Sequence, residues 1–105
     1  MAQIMGSVNN VQLLPDREGP AKNGAEPLVS VSIETVSLLC RIPEGAGVRV
    51  LGEGKNGYKP VEVDGLPRSG QMVVADFRAT MKKGKRPVRW MAGWRPIGFD
   101  MVEAA

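Results

Sequence analysis

Residues 71 to 94 decide the fold class of this chain, and they read QMVVADFRATMKKGKRPVRWMAGW. In the first half, apolar side chains occupy every second position: Val73, Ala75, Phe77, Ala79 and Met81. A period of two is that of a β-strand with one buried face, so a strand is predicted from Gln71 to Met81. Gly84 supplies a turn, and a return strand is predicted from about Pro87 to Trp94. The stretch therefore predicts a β-hairpin.

This hairpin is strongly basic. Residues 76 to 95 hold seven basic residues and one acidic residue, a net charge of +6, whereas residues 1 to 40 sum to −2. The cationic candidates for ligand binding are Arg78, Lys82, Lys83, Lys85, Arg86, Arg89 and Arg95. A cationic two-stranded ribbon can follow a phosphodiester backbone and release its counterions, which favours a nucleic acid as partner. The alternative interpretation is a solvated turn whose lysines protect an edge strand.

The rest of the chain shows the same strand-like pattern. Eight prolines and thirteen glycines divide it into short pieces, and no segment has an apolar period of 3.6 residues over a helical length. Further strands are predicted at Gln3 to Leu14, Leu28 to Ile42, Val48 to Leu51 and Tyr58 to Val63, before Arg95 to Phe99 closes the fold. Asn56-Gly57 is a turn signal, and residues 15 to 27 are predicted as a long exposed loop.

Five to six short strands without a helix predict an all-β domain, a small antiparallel barrel from which the basic hairpin projects. An OB-fold and an SH3-like barrel both satisfy the pattern. The early pair of long strands, joined by an exposed loop, favours an OB-fold-like barrel. The 105 residues suffice for one core, so we expect one domain over residues 1–100 and a polar tail over residues 101–105.

The composition argues against an enzyme. Histidine is absent, which removes the usual general base, the usual zinc ligand and every Ser-His or Cys-His pair. Cys40 is the single cysteine and lies in the apolar run VSLLC, which predicts a buried thiol. We therefore expect no catalytic residues, no metal site and no cofactor.

The N-terminal residues MAQIMGSVNN contain no basic region followed by an apolar stretch, and no apolar run is long enough to span a bilayer. The sequence therefore predicts a cytoplasmic protein without a membrane partner.

The aromatic residues are the second set of candidates: Tyr58, Phe77, Trp90, Trp94 and Phe99. Proteins that bind single strands stack bases on such rings, at about 1 to 3 kcal/mol per base. Tyr58, with Lys55 close by, is the best stacking candidate, whereas Phe77 lies on the apolar face of its strand and is predicted as core. Trp90 and Trp94 both neighbour arginines, and the sequence does not distinguish which of them faces solvent.

From Gly65 to Ile97 the order of elements resembles the C-terminal part of the small single-stranded DNA-binding proteins of filamentous phages, the gene V or helix-destabilising type. The points of likeness are a glycine before the strand, the central Phe77, the turn at Gly84 and a closing strand that ends in Arg-Pro-Ile. The resemblance implies a dimeric OB-fold protein that coats single-stranded DNA without sequence preference during phage replication, in the host cytoplasm.

The leading functional hypothesis is therefore a single-stranded DNA-binding protein, with RNA not distinguished from DNA. In this hypothesis the hairpin cations neutralise phosphates, while Tyr58 and one tryptophan stack bases. One alternative is an SH3-like interaction module in which Trp90, Trp94 and Tyr58 form a groove for a peptide. The other is a structural or assembly subunit that adds strands at a sheet edge.

Overall fold

The computed structural model describes residues 1–15, 28–81, 84 and 86–97. In this part of the chain all regular structure is β-strand, and it contains no helix that could cross a bilayer. The seven strands are β1 (Ala2–Leu13), β2 (Leu28–Ile33), β3 (Val36–Arg41), β4 (Val48–Val50), β5 (Lys59–Val63), β6 (Met72–Thr80) and β7 (Val88–Pro96). The all-β prediction is thus confirmed, with the predicted strand ends shifted by one or two residues except in two regions.

The predicted single strand from Leu28 to Ile42 is wrong, because the chain reverses at Glu34 and Thr35 to give β2 and β3. Glu34 has a φ of 53°, a conformation that the sequence does not signal because glutamate rarely adopts it. Contacts with β1 stabilise it. The Glu34 carboxylate accepts a hydrogen bond from the Ser7 amide (3.0 Å), and the Glu34 amide donates to the Ser7 carbonyl (3.1 Å).

The second difference is that β7 continues as a strand to Pro96, beyond the predicted end at Trp94. It pairs with β6 along its whole length, from Thr80 opposite Val88 to Val73 opposite Pro96. Phe99, which was expected to take part in closing the fold, lies outside the described residues, as does the predicted tail.

Five of the strands form a partly closed ring. The sheet runs in the order β2-β3-β7-β6-β1-β5-β4, and β1 also pairs with β2, which brings the two ends of the five-stranded segment together. Every pairing is antiparallel except that of β3 with β7, which is parallel and consists of the single couple Leu39 and Trp90. This ring confirms the OB-like barrel, and the hairpin β4–β5 is an addition attached to the end of β1.

The core lies inside this ring and is built from small aliphatic side chains at alternate positions. Val29, Val31 and Ile33 of β2 are fully buried, as is Leu38 of β3. In β1 the register shifts at Asn9, where a bulge allows Val8 and Val11, three positions apart, both to be buried. Cys40 is 4% exposed, which confirms the predicted buried thiol.

Burial along β6 decreases toward the hairpin. Val73 and Ala75 are fully buried and Phe77 packs against the core, but Ala79 is exposed and Met81 is 70% exposed. The alternation of apolar residues in the sequence therefore continues to Ala79 and Met81, although these two side chains lie beyond the core. The hairpin between β6 and β7 projects from the barrel, as the sequence predicts, and Gly84 has the positive φ of 76° expected of its turn.

Gly6 is required by the close approach of Glu34. A Cβ at Gly6 would lie 2.4 Å from Cγ of Glu34. We expect Gly6→Ala to lower the free energy of unfolding by about 1 to 3 kcal/mol, the usual cost of overpacking. Urea denaturation followed by circular dichroism measures this change.

The control is the same substitution in a Glu34→Gly background. Removal of the Glu34 side chain removes the clash, so Gly6→Ala should cost less than about 0.5 kcal/mol there. An equal cost in both backgrounds would contradict this explanation.

Candidate nucleic-acid interface

Trp90 lies on the outer side of the ring between two arginines. It is directly opposite Arg78 of β6 and beside Leu39 of β3, so the three side chains point to the same side of the sheet. Arg41, two residues after Leu39, shares that side, and its guanidinium carbon is 5.6 Å from the centroid of the Trp90 ring. This is cation–π distance. We call Arg41, Arg78 and Trp90 the Trp90 cluster.

The alternation of burial shows that this side faces outward. In β3, Leu38 and Cys40 are buried, whereas Arg41 is exposed and Leu39 is half-buried. The strand register extends the outer face across all five strands of the ring in one row: Gln12, Ser30, Leu39, Trp90 and Arg78. The outer row is therefore uncharged over β1, β2 and β3, and it becomes aromatic and cationic at β7 and β6.

Most of the described cations near this row are not engaged in ion pairs. Within the described ranges, ion pairs form between Arg49 and two carboxylates, those of Glu62 (3.4 Å) and Asp64 (3.2 Å). The pKa of Arg49 is raised, mainly by its hydrogen bond to Asp64 and next by its hydrogen bond to Glu62. In contrast, none of the following pairs with a described carboxylate: Arg41, Arg78, Arg86, Arg89 and Arg95. These guanidinium groups are available to an anionic ligand.

The single acidic residue of the hairpin does not neutralise them. Asp76 lies in β6 opposite Gln3 of β1, and its carboxylate accepts a hydrogen bond of 2.7 Å from the Gln3 side-chain amide. The charge asymmetry seen in the sequence is thus retained at the surface of the described part of the hairpin.

The structure distinguishes the two tryptophans. Trp94 is opposite Ala75, on the inner side, and its ring packs against the core while Nε1 donates a 2.9 Å hydrogen bond to the carbonyl of Gly65. Trp90, four residues earlier, is on the outer side, because the bulge at Ala92 changes the alternation between them. Both tryptophans are half-buried, and Trp90 is the one that lies on the outer face.

The predicted arginines of the hairpin occupy different parts of it. Arg86 and Arg89 are exposed on the projecting ribbon, and Arg89, next to Trp90 in the strand, points to the opposite side of the ribbon. Arg95 is exposed opposite Val74, near the base of the hairpin. Lys82, Lys83 and Lys85 lie outside the described residues.

Tyr58 and Lys55 are not brought together with the Trp90 cluster. Tyr58 precedes β5, which pairs with the last two residues of β1, whereas β6 pairs with Ala2 to Ser7 and continues past them toward the hairpin. Gln12, the partner of Pro60, begins the outer row, so β1, β2 and β3 lie between the Tyr58 region and Trp90 around the ring. Asn56 and Gly57 both have positive φ, which confirms the predicted turn beside Tyr58.

Arg41 is the site residue that the sequence did not indicate. It lies 49 positions before Trp90, and the two meet only because β3 and β7 lie side by side in the ring. A parallel pairing over this separation has no local signal comparable to a turn. The alternation of buried and exposed positions around Cys40 could have predicted that Arg41 lies on an outer face. It could not have predicted that Trp90 lies next to it.

A groove opens where β3 and β7 separate beyond their single couple. Its volume is about 570 Å³, and its walls include Arg41 on one side and residues 90–94 on the other. We call it the seam groove. The Trp90 ring and the Arg78 side chain stand at its outer rim, so the groove is continuous with the Trp90 cluster.

No family model, no curated protein and no solved structure matches the chain. The interpretation of this surface therefore depends on its geometry and charge.

The different positions of the two tryptophans predict different costs of substitution. Trp94→Phe should lower the free energy of unfolding by about 1 to 2 kcal/mol, because it removes a hydrogen bond and part of a packed ring. Trp90→Phe should cost less than Trp94→Phe, because Trp90 is half-buried on the outer face and phenylalanine keeps a ring beside Arg41. Urea denaturation of both variants measures the difference, and an equal or reversed order would contradict the assignment.

The burial of Cys40 predicts that the free energy of unfolding falls at alkaline pH. Burial raises the pKa of its thiol from 9.0 to about 12. The unfolded thiol ionises near 9.0 while the folded thiol keeps its proton, so the stabilisation is complete below that pH and is lost as the pH rises toward 12. Between pH 8 and pH 10 the wild type should lose about 1 kcal/mol more of its unfolding free energy than Cys40→Ala. Parallel pH profiles of the two proteins would disprove this prediction.

Proposed function

We propose that this protein binds single-stranded nucleic acid, with DNA as the first candidate and without sequence preference. The observation that supports this most strongly is the Trp90 cluster, an outward tryptophan between two arginines that have no described carboxylate partner. Trp90 is half-buried and Arg41 lies over its ring, so a base can stack on the part of the ring that Arg41 leaves open. Every base has a π-face, and the adjacent guanidinium groups can bind the phosphates on either side.

The position of the cluster in the barrel supports the same proposal. OB-folds bind oligonucleotides on the face of their second and third strands and with the loop between their fourth and fifth. In the five-stranded ring, the corresponding parts are β2, β3 and the β6–β7 hairpin. The outer row crosses β2 and β3 and ends at that hairpin. A strand that follows the row would therefore reach Trp90 and the basic ribbon in succession.

The peptide-binding alternative requires three aromatic side chains in one groove. The Trp94 ring packs against the core, and β1, β2 and β3 lie between the Tyr58 region and Trp90 around the ring. The geometry of these rings therefore favours a nucleic acid over a peptide.

A homodimer, which the resemblance implies, remains part of the proposal, as do a cytoplasmic location and the absence of catalysis. The free edge of β4, where Val50 and Leu51 are more than half exposed, offers a surface for self-association.

Binding of an oligo-dT of about eight nucleotides tests the proposal, with tryptophan fluorescence and the anisotropy of a labelled strand as readouts. We expect quenching of fluorescence and an affinity that falls with salt, with a log–log slope of about −3 if about four cations meet phosphates. Trp90→Leu should weaken binding by about tenfold or more, and Arg78→Gln should make the salt slope smaller by about 0.7.

Lys55→Gln is the matched control, because Lys55 is also an exposed cation but lies in the β4–β5 connection, outside the ring of five strands. It should change the affinity by less than twofold. Absent quenching, or binding that does not depend on salt, would refute the proposal, and a loss with Lys55→Gln equal to that with Arg78→Gln would place the strand elsewhere. Sedimentation of the protein without nucleic acid reports its oligomeric state in the same buffer.

A further inference from the structure

Among the described strands, the ring is most weakly paired at the seam groove. β7 pairs with β6 at eight positions and β3 pairs with β2 at six, but β3 and β7 share a single couple. Beyond that couple the strands separate, and the groove occupies the gap. At about 570 Å³ it falls within the roughly 300–1,000 Å³ typical of small-molecule sites.

The floor of the groove is apolar and uncharged. Leu66 is 8% exposed and Cys40 is 4% exposed, and the Trp94 ring lies beside them. Burial raises the pKa of the Cys40 thiol to about 12, so this group carries no charge at neutral pH. Such a floor suits the face of a planar ring.

The rim of the groove is cationic. Arg41 and Arg78 both line it, and no acidic residue is among its described lining residues. A ligand that complements this groove therefore combines an apolar planar part with negative charge, which describes a nucleotide and argues against a cationic or a purely apolar occupant.

The inner wall also offers polar backbone groups. Asp76 pairs with Gly93 and Phe77 with Met91, so Ala92 is an extra residue without a partner in β6. On the other side, β3 pairs with β7 only at Trp90 in the described chain. Ala92 thus has no register partner in β6 or β3, and it stands at the wall of the groove, where the ladder is disrupted and backbone groups can meet the edge of a base.

We infer that the seam groove holds one unstacked nucleobase of the bound strand, next to the base that stacks on Trp90, with the adjoining phosphates on Arg41 and Arg78. This inference rests on the proposed function and adds to it a defined base subsite. Each chain would then bind two successive bases differently, one stacked on the Trp90 ring and one in the seam groove.

Gly93 provides the test. It lines the groove, its φ is not in the left-handed region, and a Cβ at this position meets no atom within 4 Å. Gly93→Leu therefore adds a bulky side chain at the wall of the groove without a clash at Cβ. Gly52 is the matched control, because it also has open space around its Cβ and lies in the β4–β5 connection, away from the groove.

We expect Gly93→Leu to weaken binding of the oligo-dT by about tenfold, the value of one lost base contact, and Gly52→Leu to leave it within twofold. Circular dichroism confirms that both variants are folded. Equal affinities of the two variants would overturn the base subsite while leaving the proposed function intact.

A second measurement uses the wild-type protein alone. Thymidine 5′-monophosphate should produce saturable shifts of the amide resonances of residues 91–93 at millimolar concentration, and 2-deoxyribose 5-phosphate, which lacks the base, should not. Equal shifts with both probes would show phosphate binding only and would overturn the inference. If oligo-dT does not bind, the proposed function fails, and shifts specific to the nucleotide would then identify a free-nucleotide site.

Discussion

Strand β1 divides its hydrogen bonds among three other strands, and the barrel depends on that division. Its first half pairs with β6, its second half pairs with β2, and its last two residues also pair with β5. Because β2 and β1 are the two ends of the five-stranded segment β2-β3-β7-β6-β1, their pairing closes that segment into a ring. The bulge at Asn9 lies at the change of partner, and it keeps both Val8 and Val11 in the core while the strand bends.

The β2–β3 turn is stabilised from the same strand. Glu34 adopts a left-handed conformation that costs free energy, and the Ser7 backbone binds both its amide and its carboxylate. Asn9 donates a side-chain hydrogen bond to the Glu34 carbonyl, so the bulge and the turn support each other. This is why a turn can form where the sequence contains neither glycine, asparagine nor proline.

Closure of the ring is also what creates the candidate site. β3 and β7 are distant in the chain and meet in parallel at one couple, which places Arg41 of β3 over the ring of Trp90 in β7. The weakness of this single couple leaves the seam groove beside it. The cationic rim and the outward Trp90 ring would act at different ranges: charge attracts a polyanion over about a Debye length of 8 to 10 Å, whereas stacking acts only on contact.

The sequence by itself determined the properties that depend on neighbouring residues. The period of two in residues 73–81 predicted β6, the Asn56-Gly57 and Gly84 turns were recognisable from their residue types, and the apolar run around Cys40 predicted its burial. The charge count located the basic hairpin. Only the tertiary structure decided that Trp90 faces outward and Trp94 inward, that β1, β2 and β3 lie between Tyr58 and Trp90, and that Arg41 belongs to the site. These features depend on register and on bulges, and a shift of one residue reverses the side on which every following side chain lies. Register is set by pairing between distant strands, which the local sequence does not encode.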